Sequence, residues 1–329
     1  MQVTVRSFAK INIGLRIGSP RGDGFHELRT IYQTVALHDL LRIEVTKGKG
    51  IEIRCSDPRV PLDSSNTCHG VIERAMATSR TRGRVIVEIE KRLPVQGGMG
   101  GASSNAVAAL LGLERALKKQ ISISEKLRIA AEVGSDLPLF LIGGTVLGVG
   151  RGEEVYPVPD LPAVPCVIVT PEIAVSTPKA FSDWDSAHEI ALNQDPEMDV
   201  PQLTPKQPSD RMNEFSRALS AWLSSRSGVP VKKGRGRAET PLLDLVQTGI
   251  ENDFEQVVFP QYPELREVKS VIERPGAVYA SLSGSGSATY GLFSSRAAAV
   301  KAASRLRKAG FPAVATSTLT RPQYWKKLF

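Results

Sequence analysis

The segment with the plainest chemistry is Pro94-Val95-Gln96-Gly97-Gly98-Met99-Gly100-Gly101-Ala102-Ser103-Ser104-Asn105, in which four of five consecutive positions from Gly97 are glycine. Glycine lets backbone N–H groups turn toward an anion with no Cβ in the way. The Ala/Leu-rich run after Asn105 reads as a helix, whose N-terminus adds unsatisfied donors and partial positive charge. The hydroxyls of Ser103 and Ser104 can donate to phosphate oxygens or reach a magnesium ion. Such a loop is a means of holding a polyphosphate. It is not a Walker A loop, because no Gly-Lys-Ser/Thr follows the glycines. Ser103 stands where the dinucleotide fingerprint needs its third glycine, and the HRD and DFG signatures of protein kinases are missing. The plainer alternative is a flexible turn closed by a serine helix cap. So many glycines directly before a helix weigh against it.

The elements that must position this loop are legible in outline. Ile11, Ile13, Leu15 and Ile17 alternate with Lys10, Asn12, Gly14 and Arg16, a strand pattern that puts Lys10 and Asn12 on one face. Strands are also expected at 41–46, 51–55 and 85–89. Helices are expected from Asn66 to about Ser79, from Ser103 or Ser104 to about Lys118, and from after Ser124 to Gly134. Asp136-Leu137-Pro138 looks like a further helix start. Several short strands before the first long helix point to an α+β fold. Four prolines between Pro157 and Pro165 suggest a boundary, hence an N-terminal domain over 1–160 and a C-terminal one over 161–329. Within 196–241, rich in proline, serine and basic residues, Met212, Phe215, Leu219, Trp222 and Leu223 share one helical face. Val231 to Arg237 (VKKGRGR) reads as a mobile loop.

Composition narrows the class. The 329 residues are 41% hydrophobic and 23% charged, enough to bury a core and too apolar for a disordered chain. The net charge is +8, and the stretch from Leu203 to Thr240 supplies most of it: eight basic residues against Asp210, Glu214 and Glu239. A modest positive balance suits an enzyme of phosphorylated substrates, and many other proteins besides. Three scattered cysteines fit neither a disulfide framework nor a zinc site, so a reducing cytoplasm is expected. The longest uncharged apolar run, Leu137 to Gly150, would span only about 21 Å as a helix, short of the roughly 30 Å hydrocarbon layer. No membrane partner is expected.

Three separated segments together carry a resemblance: Phe8-Ala9-Lys10-Ile11-Asn12, the loop from Pro94 to Ala106, and Leu282-Ser283-Gly284-Ser285-Gly286-Ser287. In this order and spacing the chain resembles the GHMP small-molecule kinases. Asp23-Gly24-Phe25-His26, the Gly98–Asn105 form of the loop and Gly134-Ser135-Asp136-Leu137-Pro138-Leu139-Phe140 point, within that family, to the branch acting on a cytidine-diphosphate-linked methylerythritol. Met99 replaces the usual leucine and Ala102 a common glycine, both small changes. The segment 195–240 does not map onto the family. The resemblance implies a two-domain fold, N-terminal like domain 2 of ribosomal protein S5 and C-terminal a ferredoxin-like α/β sandwich. It also implies transfer of the ATP γ-phosphate, with Mg2+, to the 2-hydroxyl of CDP-methylerythritol in the non-mevalonate route to isoprenoids.

That activity needs a held triphosphate, a positioned alcohol and a destination for its proton. By the resemblance Asp136 is the expected acceptor of that proton, although on the residues alone the helix cap is the preferred reading. Lys10 is expected to neutralise charge and keep Asp136 ionised; without the resemblance it is an ordinary strand lysine. Phe25 is expected to stack on cytosine, with Phe181 over the other face and His26 on the base edge; both phenylalanines also suit a core. By resemblance Asn12 and Thr177 lie near the substrate's polar tail and Asn66 near adenine. Gly284 and Ser285 abut phosphates and substrate, or else form a plain turn between two strands. The alternatives are another kinase of the superfamily, which Phe25-His26 argues against, and an RNA-binding module. The chain lacks the interleaved aromatic and basic residues of the latter, so the expected partner is the small substrate alone, with no nucleic acid, on a monomer or weak homodimer.

Overall fold

The structure, a computed structural model, describes residues 2–192, 208–226 and 250–329. The VKKGRGR segment lies outside the described residues. Two compact units emerge, and neither is continuous in sequence. The first comprises Met1–Ile11, Ile31–Val164 and Thr316–Phe329; the second comprises Asn12–Thr30 and Pro165–Ala315. Two long strands, β1 (Gln2–Pro20) and β2 (His26–Thr46), therefore contribute residues to both units. One change of unit falls at Val164–Pro165, at the end of the proline run, whereas the changes inside β1 and β2 carry no such mark, because a strand gives no local signal of where it passes from one core to another.

The first unit adds β3 (Gly50–Cys55), α1 (Thr67–Thr78), β4 (Arg84–Glu90), α2 (Gly101–Leu117), α3 (Ile123–Val133), α4 (Leu137–Phe140), β5 (Thr145–Val149), β6 (Glu154–Pro157) and the C-terminal helix (Arg321–Leu328). Its sheet runs β3-β4-β2-β5-β6, with β1 paired to β2. In β4, Val85, Val87 and Ile89 are buried while Arg84 and Glu88 are exposed, so the period-two pattern selects the core face. That face packs on α1 and α2 through Val71, Ile72, Val107 and Leu110. Gly112 lies inside α2, where glycine costs about 1 kcal/mol relative to alanine. A Cβ there would stand 2.6 Å from Ile43 Cδ1, so the helix approaches β2 only because none is present.

Two helix starts differ from expectation. α2 begins at Gly101, before the serines, because Gly100 adopts the left-handed conformation (φ 68°) and turns the chain into the helix without a side-chain cap. α3 is capped by Ser122, whose hydroxyl accepts from Glu125 N, rather than by Ser124. β2 begins near His26, well before the expected start at Leu41.

The second unit holds β7 (Pro165–Val169), α5 (Thr177–Leu192), α6 (Pro208–Arg226), α7 (Glu255–Gln261), α8 (Pro263–Glu273), β8 (Tyr279–Leu282), β9 (Thr289–Leu292), α9 (Arg296–Lys308) and β10 (Ala313–Ser317). Its four-stranded sheet runs β10-β7-β9-β8, and α8 and α9 pack Val268, Ile272, Ala302 and Leu306 against Val167 and Val169. α6 is the amphipathic helix expected within the basic segment: Met212, Phe215, Leu219 and Trp222 are buried. It is anchored polarly as well. Arg211 pairs with fully buried Asp253, which also pairs with Arg16 at 2.6 Å, and Arg29 donates to the Met212 carbonyl at 2.7 Å.

Burial pushes the thiols of Cys68 and Cys166 up to about 12 from 9.0. It also raises the phenols of Tyr32, Tyr290 and Tyr324 above their ordinary 10.0. These groups ionise more readily in the unfolded chain. Their contribution is complete below about pH 9 and is lost as pH rises through 12, a loss on the order of several kcal/mol at the top of that window. Urea unfolding midpoints measured from pH 8 upward are expected to fall steadily; a flat profile to pH 11 would contradict this burial.

Candidate active site

The phosphate-loop region belongs wholly to the first unit. Pro94 through Ser103 line, without a gap, a cavity of about 320 Å³ that Asn66, Lys91 and Asn105 also border. Because α2 starts at Gly101, the N–H groups of Gly101, Ala102 and Ser103 occupy its first turn, where no helical carbonyl can reach them. Gln96 (φ 62°), Gly98 (φ 71°) and Gly100 are all left-handed, which bends the loop around the cavity. Ser103 borders the cavity. Ser104 is buried and accepts from the Ser7 hydroxyl at 2.7 Å, so it ties the loop to β1. Asn66 caps α1: its side-chain oxygen accepts from Cys68 N at 2.9 Å and its amide donates to the Pro61 carbonyl at 2.6 Å. One lone pair and one N–H of that amide remain beyond these two bonds.

Lys10 and Asp136 meet beside this loop. Lys10 Nζ lies 3.4 Å from Asp136 Oδ2, with the lysine side chain 4% exposed and the carboxylate 32%. Lys10 N donates to the Met99 carbonyl at 3.0 Å, and a Cβ on Gly100 would stand 3.1 Å from Lys10 Cγ. Lys10 is thus packed into the loop rather than exposed on a strand. Asp136 occupies the cap position of α4, but its side chain makes no capping bond. Instead Oδ1 accepts from the Tyr32 hydroxyl at 3.1 Å. Burial, with the Asp136 charge next, pushes the Tyr32 phenol well above its ordinary range, so it remains a donor. The result is a carboxylate fixed from two sides with its outer surface open.

Residues missed in the sequence support this arrangement. Tyr32 is one. Asp39, fully buried, is another: it accepts from Lys91 Nζ (2.6 Å), Arg92 N (2.7 Å) and Leu93 N (2.7 Å), directly before Pro94. Neither sits in a motif, and both act only through tertiary placement.

The second unit gathers the remaining candidates into small groups. Asn12 is buried and donates to Thr30 Oγ1 at 2.8 Å. Thr177 Oγ1 and Ser285 Oγ share a hydrogen bond at 2.7 Å. The Gly284–Ser285 segment joins β8 and β9 as a hairpin turn, and Asn252, also missed, holds it by donating to the Leu282 and Gly284 carbonyls at 2.8 Å each. Phe25 is 48% exposed in the turn after Gly24. His26 stacks on Phe181 with ring centroids 4.9 Å apart, and Phe181 meets Phe254 edge-on. His26 therefore occupies the Phe181 face that the sequence assigned to cytosine.

A phosphate loop against a Lys–Asp pair, over an α+β scaffold, is the equipment of a small-molecule kinase. Family models agree: residues 66–144 match the GHMP kinases N terminal domain and residues 240–312 the GHMP kinases C terminal domain. A homoserine kinase from Cytophaga hutchinsonii shares the fold, with TM-score 0.68 at 19% identity over 97% of this chain and 95% of that one. A solved 4-(cytidine 5'-diphospho)-2C-methyl-D-erythritol kinase superposes with TM-score 0.69 at 27% identity, covering 96% of this chain and 99% of that chain. The 4-diphosphocytidyl-2-C-methyl-D-erythritol kinase of Solibacter usitatus is 36% identical over 298 residues, 91% of this chain and 83% of that protein. The same kinase of Acaryochloris marina is 33% identical over 93% of this chain and 92% of its own length. The chain belongs to the 4-diphosphocytidyl-2-C-methyl-D-erythritol kinase family of GHMP kinases.

Proposed function

We propose that the chain transfers the γ-phosphate of ATP to the 2-hydroxyl of 4-diphosphocytidyl-2-C-methyl-D-erythritol, in the non-mevalonate route to isoprenoids. The observation that carries this is the Lys10–Asp136 pair set against the glycine loop. The loop amides bind the triphosphate. Asp136 orients the acceptor hydroxyl and takes its proton as the P–O bond forms. Lys10 offsets charge on the transferring phosphoryl group. Among the described residues no trio of His, Cys, Asp and Glu forms a dedicated metal cage. The Ser103 hydroxyl is a hard oxygen donor that fits magnesium, an ion that keeps most of its shell as phosphate oxygens and water. Ser103 would help to hold the ion, which would supply neutralisation of phosphate charge.

In the second unit Phe25 covers the cytosine, His26, backed by its stack on Phe181, meets the base edge, and Asn12, Thr177, Gly284 and Ser285 hold the diphosphate and polyol. No described helix is long and apolar enough to cross a membrane, and all three cysteines are free. The proposal is of a cytoplasmic enzyme of small molecules, acting without nucleic acid as a monomer or weak homodimer. The test is ADP release, coupled to NADH oxidation, with Mg-ATP and the cytidine substrate against homoserine and mevalonate. Turnover of either control in preference to the cytidine substrate would reject the proposal. Tyr32→Phe removes one donor from Asp136 and is expected to lower kcat about tenfold with the KM for ATP unchanged, measured in the same assay.

A further inference from the structure

His26 has two ring nitrogens, and the structure accounts for one. Nε2 lies 2.7 Å from Asp185 Oδ1. An ionised carboxylate only accepts hydrogen bonds, so Nε2 must carry the proton. In the neutral imidazole Nδ1 is then an acceptor. Among the described residues Nδ1 has no hydrogen-bond partner, and it is not one of the fully buried atoms left without one, so it keeps some access to solvent. The local fold makes this arrangement deliberate. Phe181 and Asp185 are four residues apart on α5, hence on one helical face. Phe181 fixes the plane of the imidazole by stacking at 11°, while Asp185 fixes its rotation. The neighbouring Phe25 stands exposed at the same turn.

We infer that Asp185 is a positioning residue for base selection: by holding His26 with Nδ1 as an acceptor, it makes the site read the amino group of cytosine and reject uracil. The inference rests on the proposed cytidine substrate. Cytosine presents an N–H donor at ring position 4, and uracil presents a carbonyl oxygen there. An acceptor nitrogen pairs with the first and faces a second acceptor in the other case, leaving two desolvated lone pairs opposed. Uracil offers its own donor one ring position away, at N3, and reaches Nδ1 only by shifting in the stack. Without Asp185 the imidazole can move its proton to Nδ1 and donate to the uracil oxygen. Discrimination would then fall even though nothing that touches phosphate or the reacting hydroxyl has changed.

The experiment compares kcat/KM for the cytidine substrate and its uridine counterpart in wild type, Asp185→Ala and Asp185→Glu. The Asp185 side chain is 38% exposed, so truncation is tolerated by the fold, and thermal melting verifies this. Asp185→Ala is expected to lower the cytidine-to-uridine ratio roughly tenfold, chiefly through KM for the cytidine substrate, with KM for ATP unchanged; Asp185→Glu is expected to restore most of the ratio. A merely structural role would weaken both substrates alike. Long-range proton–nitrogen correlation on the wild-type protein, assigned by loss of the signal in His26→Asn, is expected to show the proton on Nε2. An unchanged ratio in folded Asp185→Ala, or a proton on Nδ1 in wild type, overturns the inference alone. Wild-type enzyme that releases no ADP with the cytidine substrate overturns the proposed function first, and this inference with it.

Discussion

Asp136→Asn is expected to lower kcat roughly a thousandfold and to leave the affinity for ATP near wild type. Asparagine has the shape of aspartate, and its oxygen can still accept from the Tyr32 hydroxyl that lies 3.1 Å from Oδ1. What it cannot do is take a proton. The alcohol then attacks phosphorus while still carrying its own, and the developing oxonium charge has no destination. ATP binding relies on other groups: the first-turn amides of α2 and the left-handed turns at Gln96, Gly98 and Gly100. The variant also loses the carboxylate that lies 3.4 Å from Lys10, so melting with and without nucleotide serves as the control. Calorimetric titration with a non-hydrolysable ATP analogue and steady-state turnover test the two halves separately. Near-normal kcat would remove Asp136 from the chemistry. Equal loss of ATP affinity would make it a structural support of the loop.

How much of this was legible beforehand depends on the range of each interaction. A glycine loop directly before a helix is legible in the sequence because glycine's conformational freedom and the helix terminus are local properties. The amphipathic face of α6 was legible for the same reason: Met212, Phe215, Leu219 and Trp222 recur at helical spacing and are buried. The start of α2 was misjudged because serines are good caps, whereas here left-handed Gly100 turns the chain and the serines fall inside the helix. Lys10 and Asp136 were two unremarkable residues until a resemblance linked them; the 3.4 Å contact comes from packing of β1 against the segment before α4. Nothing local marks Tyr32, Asp39, Asn252 or Asp185, since each acts on a group distant in sequence. His26 was expected at a base edge and Phe181 on a base face, but no one-dimensional pattern shows that the two rings stack on each other. The network around Asp253 has no local mark either: Arg16 falls in the polar set of an alternating strand and Arg211 in a basic stretch, and only the fold sets a buried carboxylate against both.

Asp39→Ala is expected to destabilise the protein by about 3–5 kcal/mol, the usual cost of leaving a buried charge without its partner. β2 pairs with β4 from Leu40↔Glu90 onward, so ladder bonding stops at Glu90. Past that point Arg92 N and Leu93 N have no strand to bond, and Asp39 Oδ1 accepts from both at 2.7 Å. Its other oxygen accepts from Lys91 Nζ, whose side chain is 8% exposed. Removing the carboxylate orphans two amides and one cation at once, and each such group carries a desolvation cost. The damage should also reach function, because these three residues lead directly into Pro94 and Lys91 borders the loop cavity. Weaker ATP binding is therefore expected alongside a lower urea midpoint. Asp39→Asn separates the two effects. It keeps an acceptor for the amides and loses only the charge opposite Lys91, so it should retain more ATP affinity than the alanine variant at a smaller stability loss. If Asp39→Ala unfolds at the wild-type urea concentration, the segment before the loop is held by something other than this carboxylate.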